Sequence, residues 1–177
     1  MTDTIRLFIV DDHPMIRAGL ASMIAAESDL QQVGEAGNGL EAVALLRAMP
    51  EARRPHVVLM DLMMPRLDGI AAISQLRPLM PETRFLILTS LVEPHEIRRA
   101  IDAGASGYLL KNASAHDLVA TVRSTHAGRR VMAPEATDAM IAQAQVRAPG
   151  ADLTQREREL LALMTRGLAN QDIGLAL

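Results

Sequence analysis

A chain of 177 residues holds one medium domain, or one of about 120 residues with a smaller companion, and is long enough for a hydrophobic core without cross-links. It has no cysteine, which excludes disulfides, thiolate metal sites and a cysteine nucleophile and suits a reducing cytoplasm. A net charge of −3, with only Phe8, Phe85 and Tyr108 as aromatics, argues against a general polyanion-binding field and against stacking platforms for single-stranded nucleic acid. No apolar run approaches the roughly 18 residues of a membrane span. The opening MTDTIRLFIVDD lacks a basic start, so a cytoplasmic chain without membrane contact is expected.

Strands are expected over 5–10, 30–35, 56–60, 85–89 and 107–110, with helices over 14–27, 40–49, 69–79, 93–103 and 114–127 between them. The third and fourth strands are nearly unbroken apolar runs, VVLM and FLILT, as expected of parallel strands covered on both faces. This alternation predicts an α/β fold, a doubly wound five-stranded parallel sheet. Asp12 or His13 can open the first helix ahead of Pro14, and Ser114 with Asp117 three residues on forms a cap for the last. Gly104 and Gly128 stand where helices should stop. Beyond Gly128, an Ala-rich helix is expected over 134–145 and a flexible joint at VRAPGAD, 146–152. From Leu153 a new amphipathic helix begins, with Thr154 and Glu157 as a capping box and Leu160, Leu161, Leu163 and Met164 on its apolar side. The domains are therefore read as 1–127, a linker over 128–152 that includes the helix, and 153–177.

The polar residues fall at the carboxyl ends of the predicted strands. Asp11 and Asp12 follow the first, Asp61 the third and Lys111 the fifth, and Thr89 ends the fourth. In open α/β sheets, sites form beyond those ends where strand order reverses. With the order 2-1-3-4-5, three carboxylates converge at the switch point. Their mutual repulsion calls for a cation, and oxygen donors in a shallow site favour Mg²⁺. Lys111 and Thr89 add a point charge and a hydroxyl able to hold a phosphoryl oxygen.

Four motifs jointly resemble the receiver domain of two-component response regulators of the NarL/FixJ type: IVDDHPMIRAGL at 9–20, VVLMDLMMPRLDG at 57–69, ILTS at 87–90 and GASGYLLKNAS at 104–114. LTQRERELLALMTRGLANQDI at 153–173 resembles the opening of a LuxR-like helix-turn-helix domain. The resemblance implies a flavodoxin-like receiver in which Asp61 is the phosphoacceptor. Asp12, Asp61 and the Met63 carbonyl would bind Mg²⁺, and Asp11 would support the metal through water. It further implies that Lys111 contacts the phosphoryl group, that Thr89 and Tyr108 act as switch residues, and that Pro65 and Gly69 shape the loop after Asp61. The implied protein is a phosphoacceptor rather than an enzyme. Its implied partners are a histidine kinase and a second copy of itself on phosphorylation, through the first and fifth helices, with DNA bound only by a complete protein. Residues 151–177 reach no recognition helix and carry three arginines against four acids, so this chain alone is not expected to read DNA sequence. The alternatives are a receiver acting through protein contacts, or an aspartyl-phosphate hydrolase. The hydrolase needs an acid two residues after its nucleophile, where this chain has Met63.

Some features have plainer explanations. His13 reads as a capping or exposed residue rather than a base, and Tyr108 suits sheet-edge packing as well as a switch. Arg53 with Arg54 and Arg129 with Arg130 read as solvated charges. Gly34, Gly37 and Gly39 do not match a dinucleotide fingerprint. Asn112 follows Lys111 where many receivers have Pro, which leaves the isomer of that peptide bond open.

Overall fold

The computed structural model describes residues 4–90, 93–145 and Thr154. The chain divides into two compact units, Met1–Met140 and Ile141–Leu177. Except for Thr154, the joint and the helices expected over 146–177 lie outside the described residues.

Strands β1 (Ile5–Val10), β2 (Leu30–Ala36), β3 (Val57–Asp61), β4 (Arg84–Thr89), β5 (Gly107–Leu110) and β6 (Val131–Met132) alternate with helices α1 (Pro14–Ala25), α2 (Gly39–Ala48), α3 (Gly69–Leu76), α4 (Pro94–Asp102) and α5 (Ala115–His126). Helix α6 (Pro134–Gln145) follows β6, as its Ala-rich composition predicts. All strands pair in parallel in the order β2-β1-β3-β4-β5-β6. The expected five-stranded order is thus correct as far as it goes, but the sheet has six strands. The sixth was missed because two residues carry no alternation. It forms because the open edge of β5 offers hydrogen-bonding groups, with Ala133 N donating to Tyr108 O at 2.9 Å.

Strand parity decides which helices cover which face. Ile5, Leu7 and Ile9 of β1, Val57 and Leu59 of β3, and Leu86 and Leu88 of β4 pack with Leu20 and Ile24 of α1 and Leu118, Val119 and Val122 of α5. The intervening residues Phe8, Val10, Val58, Met60, Phe85, Ile87 and Tyr108 pack against α2, α3 and α4. Alternate side chains of a strand point to opposite faces, so two continuous cores form on one sheet. Full burial of a single Leu such as Leu46 or Leu76 contributes about 1.5–3 kcal/mol.

Helix ends follow local chemistry. The side chains of Asn38, Asp68 and Ser114 accept from the backbone N–H of Glu41, Ala71 and Asp117. At α4 and α5 the chain leaves through Gly104 (φ 103°) and Gly128 (φ 81°). There Ala105 N reaches Ala100 O and Arg129 N reaches Ser124 O, at 2.9 and 3.0 Å, which closes each helix with the left-handed turn that glycine adopts without strain. His13 occupies the N-cap position of α1 and is exposed, but its side chain makes no capping bond.

Candidate functional site

The carboxyl ends of β1, β3 and β5 bring Asp11, Asp61 and Lys111 together. Asp61 is the last residue of β3 rather than the residue after it, and shares the face of Val57 and Leu59. Lys111 N donates to Thr89 O at 2.8 Å, which ties the segment after β5 to the end of β4. Its Nζ stands 2.7 Å from both Asp11 Oδ2 and Asp61 Oδ2. The two carboxylates are 1% and 4% exposed, so the ammonium works outside bulk water. No described peptide bond is cis; the bond between Lys111 and Asn112 is trans, and the side chain still reaches both acids.

Burial pushes the Asp61 carboxyl above its ordinary range, against the opposing pull of Lys111 and the backbone N–H of Met63. Burial by itself would lower the Lys111 ammonium. Its contacts with Asp11 and Asp61 outweigh that and hold its pKa above the usual lysine value. Asp11 Oδ2 and Asp12 Oδ1 are closed to solvent; Lys111 Nζ stands 2.7 Å from the first and His13 Nδ1 2.7 Å from the second. Asp11, Asp12, His13 and Asp61 each offer a ligand atom, all within 4.8 Å of one another. Three carboxylates around one ammonium, with oxygens closed to solvent, fit a hard divalent cation.

The loop after β3 is built around tight backbone contacts. Leu67 N donates to Pro65 O at 2.9 Å across Arg66, whose φ of 71° makes this a γ-turn. Gly69 N donates to Leu62 O at 3.0 Å. A Cβ on Gly69 would overlap the carbonyl oxygen of Asp61, so only glycine permits this approach. Met63 N lies 3.4 Å from Asp61 Oδ1, while the Met63 side chain is exposed.

Strand parity assigns Thr89 and Tyr108 to the other face of the sheet from Asp61. Thr89 continues the face of Phe85 and Ile87, and Tyr108 pairs in register with Ile87. Both side chains are buried and joined by a hydrogen bond. Burial, lessened by that bond and reinforced by Glu96 and Glu93, pushes the Tyr108 phenol up to about 12. Tyr108 is therefore core packing and a partner of Thr89 at once. Sequence reasoning left His13 out of the acidic cluster. Its adjacency to Asp12 was the available signal; its ring Nδ1 stands 2.7 Å from Asp12 Oδ1.

Residues 7–123 match the response regulator receiver domain. The chain belongs to the response regulator family. Response regulator protein VraR of Staphylococcus aureus is 40% identical over 174 residues, which covers 98% of this chain and 81% of the relative. A LuxR-family two-component response regulator from Aurantimonas sp. SI85-9A1 superimposes with a TM-score of 0.73 at 33% identity, over 80% of this chain and 99% of that one. The receiver domain of a putative NarL regulator from Mycobacterium tuberculosis does so with 0.66 at 31%, over 72% and 99%. This response regulator therefore has the flavodoxin-like receiver that its motifs imply. Among the described residues, no helix is long and apolar enough to cross a membrane.

Proposed function

We propose that this regulator is switched by transfer of a phosphoryl group from a histidine kinase to Asp61. The observation that carries the reading is the placement of the Lys111 ammonium 2.7 Å from both Asp11 and Asp61, beside the closed oxygen of Asp12. An Asp61 carboxylate oxygen attacks phosphorus as the P–N bond of phosphohistidine breaks; the imidazole leaves and takes up a proton, and an aspartyl phosphate remains. The nucleophile must be ionised, and Lys111 favours that form against the desolvation that opposes it.

Asp11, Asp12, Asp61 and the Met63 carbonyl would hold Mg²⁺, which offsets the charge that carboxylates and phosphoryl oxygens accumulate in one place. Lys111 then holds a phosphoryl oxygen in place of the free carboxylate. Thr89 exchanges its bond to Tyr108 for one to the phosphoryl group, and Tyr108 repacks against α4. This is a shift between two packings, not refolding. Pro65 and Gly69 keep the loop after Asp61 tight enough for the Met63 backbone to serve. The shift promotes pairing of two copies through α1 and α5, and it controls transcription through a LuxR-like DNA-binding region; the motif at 153–173 supports that output. The protein acts as phosphoacceptor, with at most self-phosphorylation from small donors and loss of its own phosphoryl group.

Intact-protein mass spectrometry after incubation with a small acyl phosphate tests this. One added phosphoryl group is expected with Mg²⁺, little with EDTA, and none in Asp61→Asn. Equal labelling of Asp61→Asn would overturn the assignment.

A further inference from the structure

Arg17, in the first turns of α1, joins three elements at the edge of the acidic pocket. Its Nη1 donates to the backbone carbonyl of Asp11 at 2.7 Å, and its Nε donates to Glu35 Oε1 of β2 at 3.3 Å. The side chain is only 17% exposed. Glu35 is itself held from the other side by Gln32 Nε2, 3.1 Å from its second oxygen. The bonded carbonyl belongs to the peptide that joins Asp11 to Asp12, just past the last residue of β1. Both neighbouring carboxylates hang from that peptide, so its orientation sets where their oxygens stand. The opposite side of the turn is fixed by Asp11 N on Ala36 O and His13 N on Asp11 Oδ1, at 3.2 and 2.8 Å.

We propose that Arg17 is a positioning residue for the divalent cation: it clamps the Asp11 carbonyl to Glu35 and so holds the Asp12 carboxylate ready for the metal. The proposal rests on the Mg²⁺ reading given above. It makes a prediction opposite in sign to the simplest electrostatic one. A guanidinium this close repels Mg²⁺, so if charge alone mattered, its removal would tighten binding. If it positions the peptide, its removal loosens the turn and weakens binding despite the relief of repulsion. Supporting groups that orient metal ligands commonly govern affinity in this way. The planar guanidinium is needed because it serves two acceptors from fixed directions; a lysine ammonium keeps the charge without that geometry.

Mg²⁺ titration of the full chain by calorimetry, comparing wild type with Arg17→Lys, Arg17→Gln and Asp12→Ala, tests the proposal. Thermal unfolding in EDTA and far-ultraviolet circular dichroism report the fold of each variant. Arg17→Lys and Arg17→Gln are both expected to weaken Mg²⁺ on the order of tenfold, with secondary structure retained. In phosphorylation by a small acyl phosphate, both should raise the Mg²⁺ concentration for half-maximal rate and leave the rate at saturating Mg²⁺ close to wild type. Wild-type affinity in Arg17→Lys, or tighter binding in Arg17→Gln, would overturn the proposal. A loss of affinity confined to variants that lose secondary structure would do the same, and assign Arg17 to the fold alone. Wild type that binds no Mg²⁺ would instead remove the metal reading itself. Loss in Asp12→Ala beside unchanged Arg17 variants would keep that reading and reject only this inference.

Discussion

Two places in this regulator hold one cation against two carboxylates at the same distance, and they behave in opposite ways. At the strand ends, Lys111 lies 2.7 Å from Asp11 and Asp61. On the surface, Arg123 of α5 lies 2.7 Å from Glu27 and Asp29 in the connection between α1 and β2. The Lys111 triad is nearly closed to water, with side chains 11%, 1% and 4% exposed, whereas Arg123 is 43% exposed and its partners 37% and 26%. In the exposed triad the hydrogen bond from Arg123 wins and holds Asp29 below its usual range. In the buried triad desolvation wins and raises Asp61 despite an ammonium in contact. Distance alone therefore does not decide whether an ion pair is settled. The buried triad holds more negative charge than its one cation relieves, and that residual makes it receptive to a metal and a phosphoryl group.

The strongest way to break the contrast is Lys111→Met, which leaves two buried carboxylates facing each other. A loss of about 3 kcal/mol at neutral pH is expected, measured by urea unfolding in EDTA and partly restored by added Mg²⁺, because a ligand that binds only the folded state stabilises it. An unchanged midpoint would show that the pocket is wetter than its burial implies.

Asp61→Asn should act with the opposite sign and a smaller size. A group whose folded pKa is raised contributes stability below its unfolded value, and loses it as pH rises through the folded value. Ionised Asp61 is thus a burden at neutral pH. The variant should melt a few degrees higher at pH 7, a gain that fades as pH falls through the raised folded value and is gone below the ordinary aspartate value of 3.8. Thermal melts from pH 3 to 8 check both the sign and the window.

The smallest effect is expected at the surface. Asp29 is lowered by Arg123, so its contribution is present above the unfolded value and lost as pH falls through the folded one. Exposure and salt screening make the triad a minor contributor. Arg123→Ala should shift the thermal midpoint far less than Lys111→Met, and the shift should vanish in high salt. A salt-resistant effect as large as that of Lys111→Met would erase the distinction between the triads.

The acidic pocket was legible in the sequence because its members sit at strand ends, and strand ends are marked by where apolar runs stop: VVLM before Asp61, FIV before Asp11. The surface triad was not, because Arg123 and Asp29 are 94 residues apart and neither interrupts a pattern. The same limit hid Arg17, which nothing in the pattern of α1 singles out until β2 is placed beside it. His13 was legible as an exposed residue at a helix start, but not as a neighbour of the Asp12 carboxylate.

By itself the sequence determined the α/β alternation, the helix stops at Gly104 and Gly128, and the placement of Asp11, Asp12, Asp61 and Lys111 at the carboxyl ends of parallel strands; the order of the first five strands entered with the family resemblance. Each of the first three depends on short-range periodicity or on the rule that parallel strands present their carboxyl ends together, and both survive translation into three dimensions. Only the tertiary structure decided that β5 recruits a two-residue sixth strand, that the Tyr108 hydroxyl finds Thr89, and that Asp61 is desolvated beyond what Lys111 offsets. Those outcomes turn on an unpaired edge, on side-chain packing and on access of water, quantities that exist only once distant segments have come together.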